Sequence, residues 1–180
     1  MLEDKRLIWE LKQGNKDALR QIYMEYKDTL LTIAASLLHD TYAAEDVLHD
    51  VFVSFAASAG KLELRVSLKS YLISSVVNRV RDRFRKKKHH TVELDKAGQI
   101  SSGSKNPEQL AVFAEQSHLS ADALLKIPLE QREAIILHLN GGMTFKEIAE
   151  VQHVPMNTVQ GRYRYGLDKL RTILNGEMKK

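Results

Sequence analysis

The sequence has no cysteine, and only 3 prolines and 9 glycines occur among its 180 residues. Without cysteine the chain cannot form disulfides, thiolate zinc sites, iron–sulfur clusters or a cysteine nucleophile. The scarcity of glycine and proline, and the absence of long alternating β-branched runs, favour helices and argue against an α/β nucleotide fold. No stretch approaches the roughly 20 apolar residues that a membrane-spanning helix needs.

The N-terminus, Met1 to Arg6, is not followed by the uninterrupted apolar segment of a secretory signal. We therefore expect a cytoplasmic protein without membrane insertion. The length fits one or two small domains. The 27 Lys+Arg exceed the 23 Asp+Glu, which gives a formal net charge of +4.

Three amphipathic helices are predicted in the first half of the chain. Asn15 can cap the first, Thr41 the second, which should end near Gly60, and Ser67 the third. The apolar positions of the first helix recur at steps of three and four: Leu19, Ile22, Tyr23, Tyr26, Leu30, Ile33, Ala34 and Leu37.

The helical pattern fails after His89, and residues 100–106 are small and polar, as in a flexible linker. Helix restarts at Asn106-Pro107, and a further helix from Pro128, with Leu129, Ile135, Ile136 and Leu139 toward a core, is stopped at 140–142. We expect an all-α fold of two small helical domains, residues 1–90 and 107–180, joined by a linker, residues 91–106.

Near the C-terminus, Thr144 and Glu147 have the spacing of a capping box for a helix that ends near Gln152. The small Ala149 at a helix crossing and the apolar Val159 in the next helix fit a helix-turn-helix motif. A plain helical hairpin is the structural alternative. In the last helix, five residues lie outside the apolar stripe and are candidates for contacts to bases and phosphates: Asn157, Gln160, Gly161, Arg164 and Tyr165.

Charge is segregated in the first domain. Between Asp40 and Gly60 there are carboxylates and no Lys or Arg, which suggests a face for a positive partner. A dense basic run follows in the third helix: Arg79, Arg81, Arg83, Arg85, Lys86, Lys87 and Lys88. Such runs are often only solvated faces, but Asn78, Asp82 and Arg85 share one helical face and add groups that can read base edges.

Taken in order, these segments resemble the bacterial extracytoplasmic-function (ECF) sigma factors, the minimal two-domain promoter-recognition subunits of RNA polymerase. The strings similar to the family's region two are Asp17-Ala18-Leu19, Ala44-Glu45-Asp46-Val47, Asp50-Val51-Phe52 and Ser67 to Leu72. The strings similar to its region four are Ile127-Pro128, Gln131-Arg132-Glu133, Glu147 to Glu150 and Thr158-Val159 with Arg162.

The resemblance implies three sets of site residues. Docking on the clamp helices of the polymerase large subunit would use Asp46, His49, Asp50 and Val53. Binding of the melted minus-ten element, with a flipped base held by the loop 57–66 and Asn78, would use Lys61, Arg65, Asn78, Arg79, Arg81, Asp82, Arg85, Lys86, Lys87 and Lys88. Duplex contacts to the minus-thirty-five element would use Thr144, Asn157, Thr158, Gln160, Gly161, Arg162, Arg164 and Tyr165.

The implied partners are core RNA polymerase, through its clamp helices and its flap, and promoter DNA. An anti-sigma factor is a further partner that such a chain can have, and we expect a monomer when the protein is free. The resemblance implies no catalytic residue, metal or cofactor, because the polymerase performs the chemistry.

Several positions depart from the family pattern. His49 replaces the usual Gln, Tyr71 the usual Trp, and His153 stands at a turn position usually held by Gly. Gly161 and Gln160 replace a small polar and a basic residue at the start of the reading helix, and Tyr165 stands where Arg is common. The DNA sequence preference therefore cannot be carried over. We expect a minus-thirty-five contact that depends less on Arg–guanine pairing than usual.

Two other functions are compatible with parts of the sequence. Three carboxylate-imidazole pairs with di-iron-like spacing suggest a metalloenzyme, but they are scattered along the chain: Asp46 with His49, Glu115 with His118, and Glu150 with His153. The second alternative is an ordinary helix-turn-helix regulator that binds duplex operator DNA without polymerase. An acidic helix followed by a basic strand-binding helix has no role in such a regulator.

Overall fold

The computed structural model describes residues 2–62, 66–93 and 122–177. These ranges contain helices and no strand, which confirms the expected all-α fold. A 3-10 turn, Ala59–Lys61, follows α3, and residues 122–125 are helical. The longer helices are α1 Leu2–Lys12, α2 Lys16–Leu38, α3 Thr41–Ser58, α4 Leu68–Glu93, α5 Leu129–Leu139, α6 Phe145–Gln152 and α7 Met156–Glu177.

Helices α1 to α4 form the N-terminal bundle, in which α2 packs against α1, α3 and α4. Asn15 caps α2 as predicted, and the Ser67 hydroxyl accepts a 3.1 Å hydrogen bond from a backbone N–H of the first turn of α4. The predicted cap Thr41 is wrong by one position. Asp40, in extended conformation, caps α3 because its carboxylate reaches the N–H of Ala43 at 3.0 Å.

The apolar stripe of α2 points into the bundle, as its periodicity predicts. Two residues of this stripe are not fully buried. Leu19 is half-buried, and Tyr23 remains 38% exposed while its ring packs edge-on against Phe52, with 4.9 Å between ring centroids. The buried members are Ile22, Tyr26, Leu30, Ile33, Ala34 and Leu37.

Helices α5 to α7 form the C-terminal unit, with α5 at its centre. α5 packs against α6 and α7 on one side and against α2 of the bundle on the other, so residues 132–137 are all buried. Leu139, predicted to face a core, is instead 62% exposed, since it is the last residue of α5 and lies beyond that enclosed stretch. The chain then turns at Gly142, whose φ of 63° suits glycine.

The two units share one continuous apolar cluster, in which residues of α5 to α7 join those of α1 to α4. α4 extends to Glu93, into the predicted linker 91–106. The rest of that linker and the helix start predicted at Asn106-Pro107 lie outside the described residues. In the described part of the chain, no helix is both long and apolar enough to cross a bilayer.

Candidate nucleic-acid and polymerase interfaces

The basic residues of α4 lie along the outside of the N-terminal bundle, because Val80 and its apolar neighbours point inward. Asn78 is exposed, and the guanidinium of Arg79 donates a 2.7 Å hydrogen bond to the Ser54 hydroxyl. Asp82 and Arg85, predicted to share a face, form a 2.9 Å ion pair. α4 therefore presents a mixed basic and polar surface of the kind that contacts a nucleic-acid backbone.

The remaining predicted minus-ten residues lie in the 3-10 turn, on α4, and outside the described residues. Lys61 is exposed in the 3-10 turn, and Lys86 is exposed on α4. Lys87 and Lys88 belong to α4. Arg65 lies outside the described residues.

Arg81 differs from its basic neighbours because it points into the contact between the two units. Its Nε and Nη2 donate hydrogen bonds of 2.8 and 2.6 Å to the two carboxylate oxygens of Glu133 on α5. Its Nη1 donates to the carbonyl of Val151 on α6 at 3.1 Å. The hydrogen bonds to Glu133 raise the pKa of Arg81, so this guanidinium is held as a cation.

The predicted polymerase-docking residues form one exposed stripe on α3. Asp46, His49, Asp50 and Val53 are spaced so that they share a helical face, and all four are exposed. Val53 is 54% exposed and shares this face with the charged groups. Asp46 pairs with Arg83 of α4 at 3.2 Å, so the acidic stripe borders the basic helix directly.

The C-terminal unit contains the predicted helix-turn-helix, formed by α6 and α7. The capping box is confirmed: Thr144 Oγ1 accepts from the N–H of Glu147 at 3.3 Å, and Glu147 Oε2 accepts from the N–H of Thr144 at 2.9 Å. His153 ends α6 with φ of 53°, the left-handed conformation anticipated at this turn. Val159 is fully buried, as predicted.

An aromatic cluster fixes the crossing of α5, α6 and α7. The rings of His138 and Phe145 are stacked with centroids 4.6 Å apart, and Tyr163 meets both edge-on at 5.1 and 5.3 Å. Such contacts add to the burial of apolar area. They hold α7 in place, with its outer face in solvent.

Most of the predicted minus-thirty-five residues are exposed, five of them on α7 and one, Thr144, at the start of α6. Arg162, half-buried, donates a 2.8 Å hydrogen bond to the side chain of Gln152, and Gly161 is also half-buried. The guanidinium of Arg164 lies 4.9 Å from the centre of the Tyr165 ring. The exposed members are Thr144, Asn157, Thr158, Gln160, Arg164 and Tyr165.

The sequence did not single out Glu133 and Gln152 as site residues, although both touch predicted DNA contacts. Glu133 is fully buried and accepts a 3.0 Å hydrogen bond from Gln152 Nε2 as well as the two from Arg81. One signal could have revealed Glu133: it falls three residues before Ile136, on the apolar side of a helix. A charge at such a position needs a buried partner.

Comparisons with known proteins agree with this geometry. Residues 22–90 match Sigma-70 region 2, and residues 121–170 match Sigma-70, region 4. The ECF RNA polymerase sigma factor SigW of Bacillus subtilis is 27% identical over 179 residues, which cover 94% of this chain and 96% of that protein. The RNA polymerase sigma factor CarQ of Myxococcus xanthus is 25% identical over 167 residues, which cover 93% of this chain and 94% of that protein.

Solved structures have the same fold. CnrH in complex with the cytosolic domain of CnrY superimposes with a TM-score of 0.74 at 22% identity, covering 97% of this chain and 98% of that one. Together, the two family matches and the full-length relatives define an RNA polymerase sigma factor of the sigma-70 type. Within that class, the chain belongs to the ECF sigma factors, and an ordinary helix-turn-helix regulator is not favoured.

Proposed function

We propose that this sigma factor docks on core RNA polymerase through the exposed stripe of α3 and places α4 and α7 on promoter DNA. The observation that carries the proposal is the stripe itself: Asp46, His49, Asp50 and Val53 share one face and are all exposed. An acidic face with one apolar side chain at its end suits a basic helical partner, which the polymerase clamp helices would supply.

The two DNA contacts follow from the arrangement of the helices. α4 carries exposed Asn78 beside basic side chains, which suits a separated strand with one extruded base. α7 presents exposed polar side chains from a helix-turn-helix, which suits the major groove of duplex DNA. The chain would thus bind the minus-ten element as melted DNA and the minus-thirty-five element as duplex.

The remaining assignments belong to the same proposal. The chain has no catalytic role of its own, needs no metal or cofactor, and acts in the cytoplasm with the polymerase. No three His, Asp or Glu side chains group as metal ligands in the described ranges. Residues 1–90 and 107–180 serve as region two and region four, and an anti-sigma factor is a further partner, as for the RpoE structure solved with the anti-sigma factor NepR.

Transcription from genomic fragments tests this function. Core polymerase, with or without the purified chain, transcribes a library of fragments from the encoding genome, and the transcript starts are mapped. We expect the chain to direct initiation at a restricted set of fragments that share two elements upstream of the start, with permanganate-reactive thymines at the downstream element. Identical transcripts with and without the chain would contradict the proposal.

A further inference from the structure

One face of α7 carries five of the predicted minus-thirty-five residues, because their spacing follows the helical turn. Fully buried Val159 lies on the opposite side, as does Gly166, where an added Cβ would meet Ile135 of α5. The five residues therefore face away from the body of the C-terminal unit, and together they form what we call the reading face: Asn157, Gln160, Gly161, Arg164 and Tyr165.

The arginines on and beside the reading face are engaged by acceptors within the protein. Arg162 donates a 2.8 Å hydrogen bond to the side-chain oxygen of Gln152. Arg164 Nη2 donates a 3.3 Å hydrogen bond to the Tyr165 hydroxyl, and its guanidinium lies over the Tyr165 ring, 4.9 Å from the ring centre. Both arrangements disfavour the two-pronged pairing of arginine with guanine, and they leave base reading to the other side chains of the face.

The exposed polar side chains at the start of the reading face are amides. Asn157 and Gln160 are three residues apart, one turn of the helix, and both are exposed. A side-chain amide pairs with adenine through two hydrogen bonds, because its oxygen accepts from N6 and its nitrogen donates to N7. Guanine presents two acceptors at the same edge, so the amide oxygen has no donor there. Two amides in the first turns of α7 therefore favour A·T pairs.

Gly161 leaves an open space on the reading face, and an aromatic ring borders it. Beyond the local helix backbone, a Cβ at this position would meet only Tyr165 Cε2 within 4 Å, at 3.9 Å. Tyr165 is 58% exposed, although its hydroxyl already accepts from Arg164. The space thus admits a methyl group in van der Waals contact with the ring. Thymine presents such a methyl group at C5 in the major groove, where proteins recognise it by apolar contact.

We propose that α7 reads thymine by placing its C5 methyl group over Gly161, against the ring of Tyr165, while the amides of Asn157 and Gln160 read adenine in adjoining base pairs. This inference rests on the proposed function, since it assumes that α7 enters the major groove of the minus-thirty-five element. It adds which bases the helix selects. Gly161 and Tyr165 determine specificity, whereas Arg164 binds phosphate without selecting a base. The minus-thirty-five element is accordingly rich in A·T pairs.

Selection from duplexes with a long random region identifies the preferred bases. The full chain selects duplexes once in complex with core polymerase and once alone at low salt, where contacts to phosphate strengthen weak binding. We expect an A·T-rich element to be enriched in the polymerase arm, upstream of the element that melts. A minus-thirty-five element dominated by G·C pairs would overturn the proposal.

Replacement of thymine by deoxyuridine then tests the methyl contact directly. Uracil keeps the hydrogen-bonding groups of thymine and lacks only the C5 methyl group. At one position of the selected element, we expect deoxyuridine to weaken binding of the holoenzyme about fourfold, as the loss of one buried methyl group predicts. Thymines outside the two selected elements are the control, and their replacement should leave the affinity unchanged.

Three variants connect this methyl contact to the reading face. Tyr165→Ala removes the ring and Gly161→Ala fills the space, so each should bind the thymine and uracil duplexes equally. Tyr165→Phe keeps the ring and should keep the fourfold difference. Gly161→Ala covers the case in which Tyr165→Ala does not fold, because alanine favours the helix and its Cβ has room beside Tyr165.

Equal binding of thymine and uracil by the parent at every position of the element would overturn the methyl contact. Retention of the fourfold difference in a folded Tyr165→Ala variant would overturn the role of the ring. Enrichment of the A·T-rich element by the chain alone, with no enrichment in the polymerase arm, would refute the proposed function and support this base preference.

Discussion

The Ser70 hydroxyl donates a 2.9 Å hydrogen bond to the carboxylate of Glu147, which ties the first turn of α4 to the first turn of α6. The same carboxylate accepts from the N–H and the hydroxyl of Thr144 at 2.9 and 2.8 Å. The backbone hydrogen bond from Thr144, with the hydroxyl groups and nearby Lys69, lowers the pKa of Glu147 despite its partial burial. One side chain thus caps the helix-turn-helix and joins the two units.

Replacing Glu147 should reduce stability in a pH-dependent way. Because the pKa is lowered in the folded state, ionised Glu147 stabilises the fold fully above its ordinary pKa of 4.5, and this contribution is lost as the pH falls through the lowered value. We expect Glu147→Gln to lower the free energy of unfolding by about 1 kcal/mol at neutral pH, and by less at about pH 3. Urea denaturation at the two pH values measures the difference.

Exposed Glu150, on the same helix, provides the control for that prediction. Glu150→Gln removes the same charge from a side chain outside the capping box, so its free energy of unfolding should stay close to that of the parent at both pH values. If Glu147→Gln lowered the free energy of unfolding by the same amount at both pH values, the role assigned to the ionised carboxylate would be contradicted.

Two glycines of α7 should respond in opposite ways to alanine. At Gly161 the nearest atom to an added Cβ is Tyr165 Cε2 at 3.9 Å, so Gly161→Ala should raise the free energy of unfolding by about 0.5–1 kcal/mol through helix propensity. At Gly166 the added Cβ would lie 2.9 Å from Ile135 Cδ1 and 3.2 Å from Gln131 Cβ. Gly166→Ala should therefore lower the free energy of unfolding by about 1 kcal/mol.

Thermal and urea denaturation of the two glycine variants check this pair. Each variant is the control for the other, because both make the same substitution within one helix. If both variants changed the free energy of unfolding by the same amount in the same direction, the close contact of Gly166 with Ile135 and Gln131 would be contradicted.

Reversal of one charge on the α3 stripe should impair polymerase binding without unfolding the protein. Asp50 is exposed, and Asp50→Lys places a cation where the docking surface is acidic. We expect the affinity for core polymerase to fall by about tenfold or more, measured by fluorescence anisotropy of the labelled chain. Asp28→Lys, an equal charge change at an exposed position of α2, should bind as the parent does.

Circular dichroism separates loss of binding from loss of fold in both charge variants. Asp50→Lys should keep a helical spectrum and a melting temperature close to those of the parent. Equal binding by Asp50→Lys and Asp28→Lys would remove the support for docking through this stripe.

Truncation of Arg164 should weaken promoter binding and leave polymerase binding unchanged. Its guanidinium is exposed on α7 beside Tyr165. We expect Arg164→Ala to reduce the affinity of the holoenzyme for promoter DNA by about tenfold and, if the contact is to a phosphate, to lower the salt slope by about one. Arg171→Ala, two turns further along α7, is the matched control.

Much of the fold could be predicted from the sequence, because helix caps and turns depend on contacts between residues that are close together in the chain. Asn15 and Ser67 cap their helices, and the capping box of α6 forms, since each depends on a side chain reaching a nearby backbone N–H. His153 adopts positive φ for a similarly local reason. Asp40 replaced Thr41 as a cap because two adjacent residues could serve, and only backbone geometry chose between them.

Tertiary contacts account for what the sequence did not reveal. Helical periodicity anticipated the exposure of Asp50 on α3 and of Arg164 on α7, while their binding roles stay predictions. Periodicity could not show that Arg81 would turn away from its basic neighbours toward Glu133, because the partner is 52 residues away in sequence. The exposure of Leu139 has the same origin, since it depends on where the packing around α5 ends.

Co-elution of the purified chain with core RNA polymerase on size exclusion tests the central claim most directly, with promoter-length DNA alone as the parallel sample. A stable complex with the polymerase, and weak association with DNA alone, is the result that this account predicts. Absence of a complex with the polymerase, together with specific binding of duplex DNA by a dimer of the chain, would contradict it.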